Sequence, residues 1–329
     1  MKLLFIGGSG IISSACSALA VDRGLDLYLL NRGRTTRRPV PAGAKVLTGD
    51  IRNPSVAEVL RDHTFDVVVD WVAYSPGHIA TDLELFRGRV GQFIYISSAS
   101  AYQKPPAVLP ITEETPLDNP FWDYSRDKIA CEAALMEAYS QEGFPVTIVR
   151  PSHTYDRTLL PFHGGYTYLD RMLKGKPILI HGDGTSLWTL THHRDFARAF
   201  LGLFGESRAI GEAYHITSDE WLTWNEIARL LGEAAGVEPN VVHVPSDTVA
   251  ALDPHWGPSL LGDKSHCAIF DNSKIRGIVP GFKAEIPFAE GAREIAGWYA
   301  ANPAEQRPDA AFDAILDRII AAQLSAQTR

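Results

Sequence analysis

The chain has 329 residues, 45% of them apolar and 21% charged, and a formal net charge of −8. This is a globular composition that allows a sizeable core and leaves no segment that reads as disordered. The acidic balance disfavours nucleic acid or an anionic membrane surface as the main partner.

Leu3–Ile6 is an apolar run that reads, with Lys2, as a buried strand. No charged leader precedes it and no apolar run is long enough to span a bilayer, which predicts a cytoplasmic protein. The strand ends in Gly7-Gly8-Ser9-Gly10 and passes into a helix pattern over Ile11–Arg23, closed by Gly24. Strands follow at Leu25–Leu30 and at Lys45–Leu47, the latter ending in Thr48-Gly49-Asp50. Pro54–Arg61 is a short helix capped by Asn53, Phe65–Val72 a fourth strand and Ile79–Arg89 a helix. Gln92–Ile96 is a fifth strand, Tyr124–Glu142 a long helix and Pro145–Val149 a sixth strand. Near-continuous apolar strands joined by helices predict a parallel sheet covered on both faces.

After Arg150 the pattern loosens, with frequent Gly, Pro, His and aromatic residues. A short strand is expected within Gly175–Gly184, a helix over Asp195–Phe204 and a strand over Ala213–Thr217. Beyond lie a helix at Trp224–Ala235 capped by Thr223, a strand at Val241–Val244, and helices near Phe288–Ala301 and Ala310–Gln323. The expected fold is α/β: a Rossmann-type doubly wound sheet with a smaller C-terminal α/β lobe over its carboxyl edge. Cys16, Cys131 and Cys267 are scattered without a CxxC or Cys/His cluster, so neither a metal site nor a disulfide framework is expected. His192 and His193 are adjacent and would point in different directions on a regular element, which argues against a pair of metal ligands.

Three stretches carry chemistry. Glycines after a first strand allow close backbone approach, and the helix behind them offers free N–H groups to a pyrophosphate, so a dinucleotide site is expected there. Tyr124 and Lys128 are four apart on a helix and share a face. A nearby ammonium favours a phenolate, so the pair is either a general acid/base or a packing contact. Ser97 and Ser98 end the fifth strand, either at the ligand edge or in a simple turn.

Together these stretches resemble the extended branch of the short-chain dehydrogenase/reductase superfamily, the NAD-dependent epimerase/dehydratase family. The likeness includes Asp50, Arg150-Pro151, Gly182-Asp183-Gly184, His192 to Ala197 and Tyr214-His215-Ile216-Thr217. It implies an NAD(P)-dependent epimerase or oxidoreductase moving hydride at a secondary alcohol or carbonyl of a sugar or sugar nucleotide. Tyr124 would exchange the proton, Lys128 would lower the tyrosine pKa and hold the nicotinamide ribose, and Ser98 would orient the substrate oxygen. Ser98 is chosen over Ser97 because it stands four before Tyr102, as in the family's Ser-x-x-x-Tyr pattern. Gly7, Ser9, Gly10, Ile11 and Ile12 would cradle the cofactor, Asp50 and Ile51 would lie at the adenine, and Pro151 near the nicotinamide. Residues 1–152 with about 192–218 would form the NAD(P)-binding domain, and about 153–191 with 219–329 the substrate lobe. The resemblance also implies a homodimer through the helices Ile79–Arg89 and Tyr124–Glu142, where Ile129, Leu135 and Met136 are either interface or core.

Several positions depart from the family pattern. Ser13 replaces the third glycine. The second strand ends in Asn31-Arg32-Gly33-Arg34 where NAD-specific members carry an acid, which favours NADP over NAD; Arg37 and Arg38 lie beyond. Ala99 and Ser100 replace the dehydratases' acidic pair, which argues against a sugar 4,6-dehydratase. Trp188 and His153 stand where sugar-nucleotide enzymes often have Arg and Asn. Ser98, Ser100, His153 and Trp188 are therefore the expected substrate contacts, with packing of the lobe as the alternative for Trp188. His163 and Tyr166 flank Gly164-Gly165 as either a mobile loop or a structural turn. Two alternatives stay open: an NADPH-dependent reductase of a small non-sugar carbonyl, and a non-catalytic nucleotide- or RNA-binding protein of the same fold.

Overall fold

A computed structural model describes residues 1–33 and 38–327. The elements in order are β1 (Lys2–Ile6), α1 (Ile11–Asp22), β2 (Asp26–Asn31), β3 (Lys45–Thr48), α2 (Val56–Leu60), β4 (Phe65–Asp70), α3 (Pro76–Phe86), β5 (Val90–Ile96), α4 (Asp123–Glu142) and β6 (Val146–Pro151). Then come β7 (His153–Tyr155), α5 (Tyr166–Leu173), β8 (Ile178–His181), β9 (Leu187–Trp188), β10 (Leu190–His192), α6 (His193–Phe200) and β11 (Ala213–Ile216). The chain closes with β12 (Leu222–Thr223), α7 (Trp224–Ala235), β13 (Val241–Val244), α8 (Ser246–Leu252), α9 (Gly257–Ser259), α10 (Ser273–Ile278), α11 (Phe288–Ala301) and α12 (Ala310–Gln327).

Seven parallel strands form the main sheet in the order β11-β6-β5-β4-β1-β2-β3. The order reverses at β1, which lies between β2 and β4, so the first and fourth strand ends frame a crevice. In register, Phe5 faces Leu29 on one side and Val69 on the other. One sheet face packs Cys16 and Ala20 of α1 and Phe196 and Phe200 of α6. The other packs Ile79 and Leu83 of α3 and Cys131 and Leu135 of α4. Leu135 is thus core, while Ile129 and Met136 are half-buried. A third apolar cluster joins α5, β8, α7, α11 and α12, with Trp224, Phe288 and Leu316 at its centre.

Local chemistry explains the differences from the expected elements. Helix α6 starts at His193, earlier than Asp195, because the His192 ring accepts Arg194 N–H at 3.3 Å as a cap. Its last turn tightens into a 3-10 turn at Leu201–Leu203. β8 gains a parallel partner in β13. Residues 246–278, unassigned from sequence, fold into α8, α9, a π-helical turn at Leu260–Lys264 and α10. Their short apolar stretches lack a sustained helical period, and tertiary packing decides their state. Among the described residues, no helix is long and apolar enough to cross a membrane.

Candidate active site

The glycine turn opens the site. Gly7 and Gly8 have φ of 103° and 109°, a conformation that favours glycine. A Cβ on Gly8 would also come within 2.7 Å of Leu29 Cδ2. Gly10 precedes α1, and its N–H donates to Ser13 Oγ at 2.8 Å. Ser13 thus caps the helix from the third-glycine position, leaving the first-turn N–H groups of Ile11 and Ile12 without intrahelical partners. The turn lines a cleft of about 730 Å³, whose wall includes Gly7, Ser9, Gly10, Ile11 and Ile12. Asn31, Arg32, Asp50, Ile51 and Pro151 line the same cleft, as do Ser98, Tyr124 and Lys128. A backbone cradle that side chains would fill, set against a helix start, fits a dinucleotide.

The end of β2 differs from the expectation. With its amide turned to donate, Asn31 reaches Gly7 O at 2.7 Å and Leu30 O at 3.3 Å. It therefore pins the glycine turn. Arg32 faces Asp50 at 3.9 Å, and both are largely exposed. Arg38 is committed elsewhere, its Nε donating to Asp156 Oδ2 at 2.7 Å. Arg34 and Arg37 lie outside the described residues.

Ser98 stands two residues beyond β5 and caps the 3-10 turn Ala99–Ala101, its Oγ accepting Ser100 N–H at 3.2 Å. Ser100 is buried and does not reach the cleft wall. Its hydroxyl lies 2.9 Å from Ser98 Oγ and accepts from Ser125 at 2.8 Å, so it orients Ser98 from beneath. Lys128 is 2% exposed and donates to Ala73 O and Ile96 O, each at 2.8 Å. Its ammonium lies 5.8 Å from the Tyr124 ring centre. Burial pushes Lys128 down to about 8, with Cys131, Asp70 and Glu132 opposing. Burial pushes Tyr124 up to about 12, while a hydrogen bond with Ser98 pulls it down. The phenol is therefore protonated at neutral pH, in contrast to the lowered value expected beside Lys128. Desolvation outweighs an ammonium whose hydrogen bonds go to backbone carbonyls.

Two buried ionic groups around this site were not read from the sequence. Asp70, at the end of β4, accepts Val72 and Ala73 N–H at 2.5 and 2.9 Å and so shapes the loop whose Ala73 carbonyl holds Lys128. Arg52, in the cleft wall, lies 3.3 Å from both Asp70 and Asp82. Burial and the neighbouring Asp70 hold the Asp82 carboxyl well above its usual range. On α4, Glu132 receives Arg150 Nε and NH2 at 3.0 and 2.6 Å, and the Ser97 hydroxyl donates to it as well. Ser97 and Ser98 both line the cleft, but the Ser97 hydroxyl is committed to that carboxylate. Glu132 stands four residues after Lys128, the one local signal that it shares the same helix face.

His153 and Trp188, expected at the substrate, do not line the cleft. Trp188 is 3% exposed; its indole N–H donates to His153 Nδ1 at 3.0 Å and its ring lies 5.4 Å from Trp224. Burial, then Lys264, holds His153 down at about 3, so it is neutral and accepts. Both belong to the aromatic core of the C-terminal half. His163 stacks on Trp256, and the Gly164 backbone lies against Phe312, so this turn is packed. His192 contacts Glu294 at 3.1 Å and His193 lies 3.2 Å from Ile11 O, yet the two rings do not point apart as expected: they meet edge to face with centroids 4.7 Å apart. No cluster of three or more possible metal ligands occurs among the described residues.

The sequence profile of the NAD dependent epimerase/dehydratase family matches residues 3–217. The chloroplast stem-loop binding protein of 41 kDa b from Arabidopsis thaliana is 27% identical over 259 residues, covering 74% of this chain and 65% of that protein. A UDP-glucose 4-epimerase from Lactobacillus helveticus is 32% identical over 168 residues, 46% of this chain and 51% of the epimerase. Among solved structures, the epimerase Mth375 from Methanothermobacter thermautotrophicus superposes with a TM-score of 0.77 at 19% identity, covering 93% of this chain and 94% of that one. The last likeness is one of fold.

Proposed function

The chain belongs to the NAD dependent epimerase/dehydratase family, and from that premise we propose that it is an NAD(P)-dependent enzyme acting at a secondary alcohol or carbonyl of a sugar-like substrate. The observation that carries this reading is that Ser98, Tyr124 and Lys128 share one cleft with the glycine turn. A bound nicotinamide supplies hydride exchange at a carbon. The protein handles the proton on the attached oxygen. Ser98 Oγ, fixed by Ser100, orients that oxygen. The Tyr124 phenol donates the proton as a carbonyl is reduced and takes it back as an alcohol is oxidised. Lys128 supplies positive charge that favours the phenolate in the second direction.

A protonated Tyr124 supports net reduction as well as epimerisation, and the chemistry of both is the same at the reacting carbon. NADP is the favoured cofactor, since no acid ends β2 and Arg32 stands in the cleft. Residues 1–152 with about 192–218 would hold it and the remaining lobe would hold substrate, in a homodimer through α3 and α4. Tyr124→Phe should abolish turnover of a carbonyl panel while cofactor binding, followed by NADPH fluorescence, is retained. Full activity in that variant would sink the proposal.

A second reading, RNA binding without catalysis, has the chloroplast relative in its favour. The charge of −8 and the complete Ser98, Tyr124 and Lys128 set count against it. Tight, salt-sensitive RNA retention at physiological ionic strength would replace the enzymatic reading.

A further inference from the structure

A second concavity, of about 1100 Å³, runs along α1 beyond its first turn. The cofactor cleft touches Ile11 to Ser13; this groove begins at Ser14 and continues to Asp22. Helices α6 and α11 form its other walls. Small side chains at Ala15, Ala18, Ala197 and Ala301, with Gly297, leave the space between the helices open, and the half-buried Trp298 adds an aromatic wall.

Among the described residues, the wall carries five arginines against three carboxylates, on a chain whose net charge is −8. Three of the arginines are neutralised. Arg38 pairs with Asp156 at 2.7 Å, Arg194 with Glu294, and Arg198 with Asp195 at 2.5 Å and with Glu285. Arg157 and Arg293 are exposed and make no ion pair among the described residues. An apolar floor gains from covering hydrocarbon, and free guanidinium groups select oxyanions. The volume suits a drug-sized ligand.

We propose that this groove binds a small amphipathic anion. Its aromatic or acyl body lies on the alanines and Trp298, and its carboxylate, sulfonate or phosphate head is held by Arg157 and Arg293. The site shares α1 with the cofactor cleft but none of its wall, so the two ligands bind together. It stands independently of the hydride-transfer reading.

The test uses 8-anilinonaphthalene-1-sulfonate and its neutral counterpart N-phenyl-1-naphthylamine, titrated into the full-length protein with NAD and NADP saturating. One sulfonate probe should bind per chain. Its affinity should fall at least tenfold in the Arg157→Ala/Arg293→Ala variant, while that of the neutral amine stays the same. Both arginines are on the surface, so the variant keeps its fold. Absence of a saturable sulfonate site with cofactor present would overturn the proposal. So would equal sulfonate affinity in the variant, or equal weakening of both probes.

Discussion

Glu132→Gln removes one charge from a pair almost entirely out of water. The Arg150 and Glu132 side chains are 6% and 3% exposed, and their contacts are 3.0, 3.2 and 2.6 Å. The glutamine keeps an acceptor for the guanidinium but no counter-charge. Breaking a buried pair in this way costs about 3–5 kcal/mol. The low end of that range is expected here, because the Tyr102 ring, 4.9 Å from the guanidinium, still offers its negative face. At about 2 °C per kcal/mol for a chain of this size, Tm should fall by about 6 °C. Thermal unfolding followed by circular dichroism measures this. The paired control is Glu132→Leu/Arg150→Met, which replaces both charges by apolar volume and should lie within about 1 kcal/mol of the natural protein or above it. A loss under about 1 kcal/mol in the single variant would mean that the pair is hydrated, and the electrostatic argument would fail. A double variant as unstable as the two single variants added together would refute it equally.

Three other outcomes are expected. Gly8→Ala places a methyl group within 2.7 Å of Leu29 on a backbone with φ of 109°, so dinucleotide affinity should fall at least tenfold; unchanged affinity by titration calorimetry would show that the turn relaxes freely. Lys128 is charged only below about 8, so kcat/KM should decline as pH rises past that value, and Lys128→Arg should carry activity to higher pH; a profile flat to pH 10 would remove the ammonium from the mechanism. His181, His192 and His215 are buried and held down at about 4 by desolvation, below an unfolded value near 6.5. As pH falls below about 6.5 the unfolded chain takes up protons that the folded chain refuses until about 4. Stability is therefore full above pH 7 and lost between about 6.5 and 4, by at most about 3 kcal/mol for each histidine. Urea midpoints that stay constant from pH 7 to 4.5 would contradict this.

What the sequence made legible was local. The β1 turn, the Tyr124 to Lys128 spacing and Ser98 at a strand end each depend on residues within a few positions, and it is the family resemblance they carry together that implies one shared site; in the structure all three line one cleft. The order β3-β2-β1-β4-β5-β6-β11 then follows from helical crossovers of one hand. Reading failed where a partner is distant in the chain. Arg38 looked free for a phosphate because Asp156 lies 118 residues on. Trp188 and His153 looked like substrate contacts because their mutual hydrogen bond and the Trp224 ring beneath them are invisible in a linear pattern. Asn31, expected among the cofactor residues, lines the cleft, and the bond by which its amide also holds the turn before it has no local sequence signal. Tyr124 was expected to be acidified by a neighbour, but its protonation is decided by how much water the folded chain leaves around it.

The hydroxyl of Ser13 has a consequence for how the molecule assembles. Starting a helix is the costly step, since several dihedrals are fixed before the first intrahelical bond closes. A side chain that binds Gly10 N–H at 2.8 Å lowers that cost from within the helix itself. At the other end, Gly24 at φ of 71° turns the chain back toward β2, whose residues pair with β1 in register. The first 31 residues thus form a unit of short sequence separation with its own start and stop signals. Closing that unit costs less chain entropy than the β1 to β4 pairing, which joins Leu3 to Val67 across the whole of β2, β3 and α2.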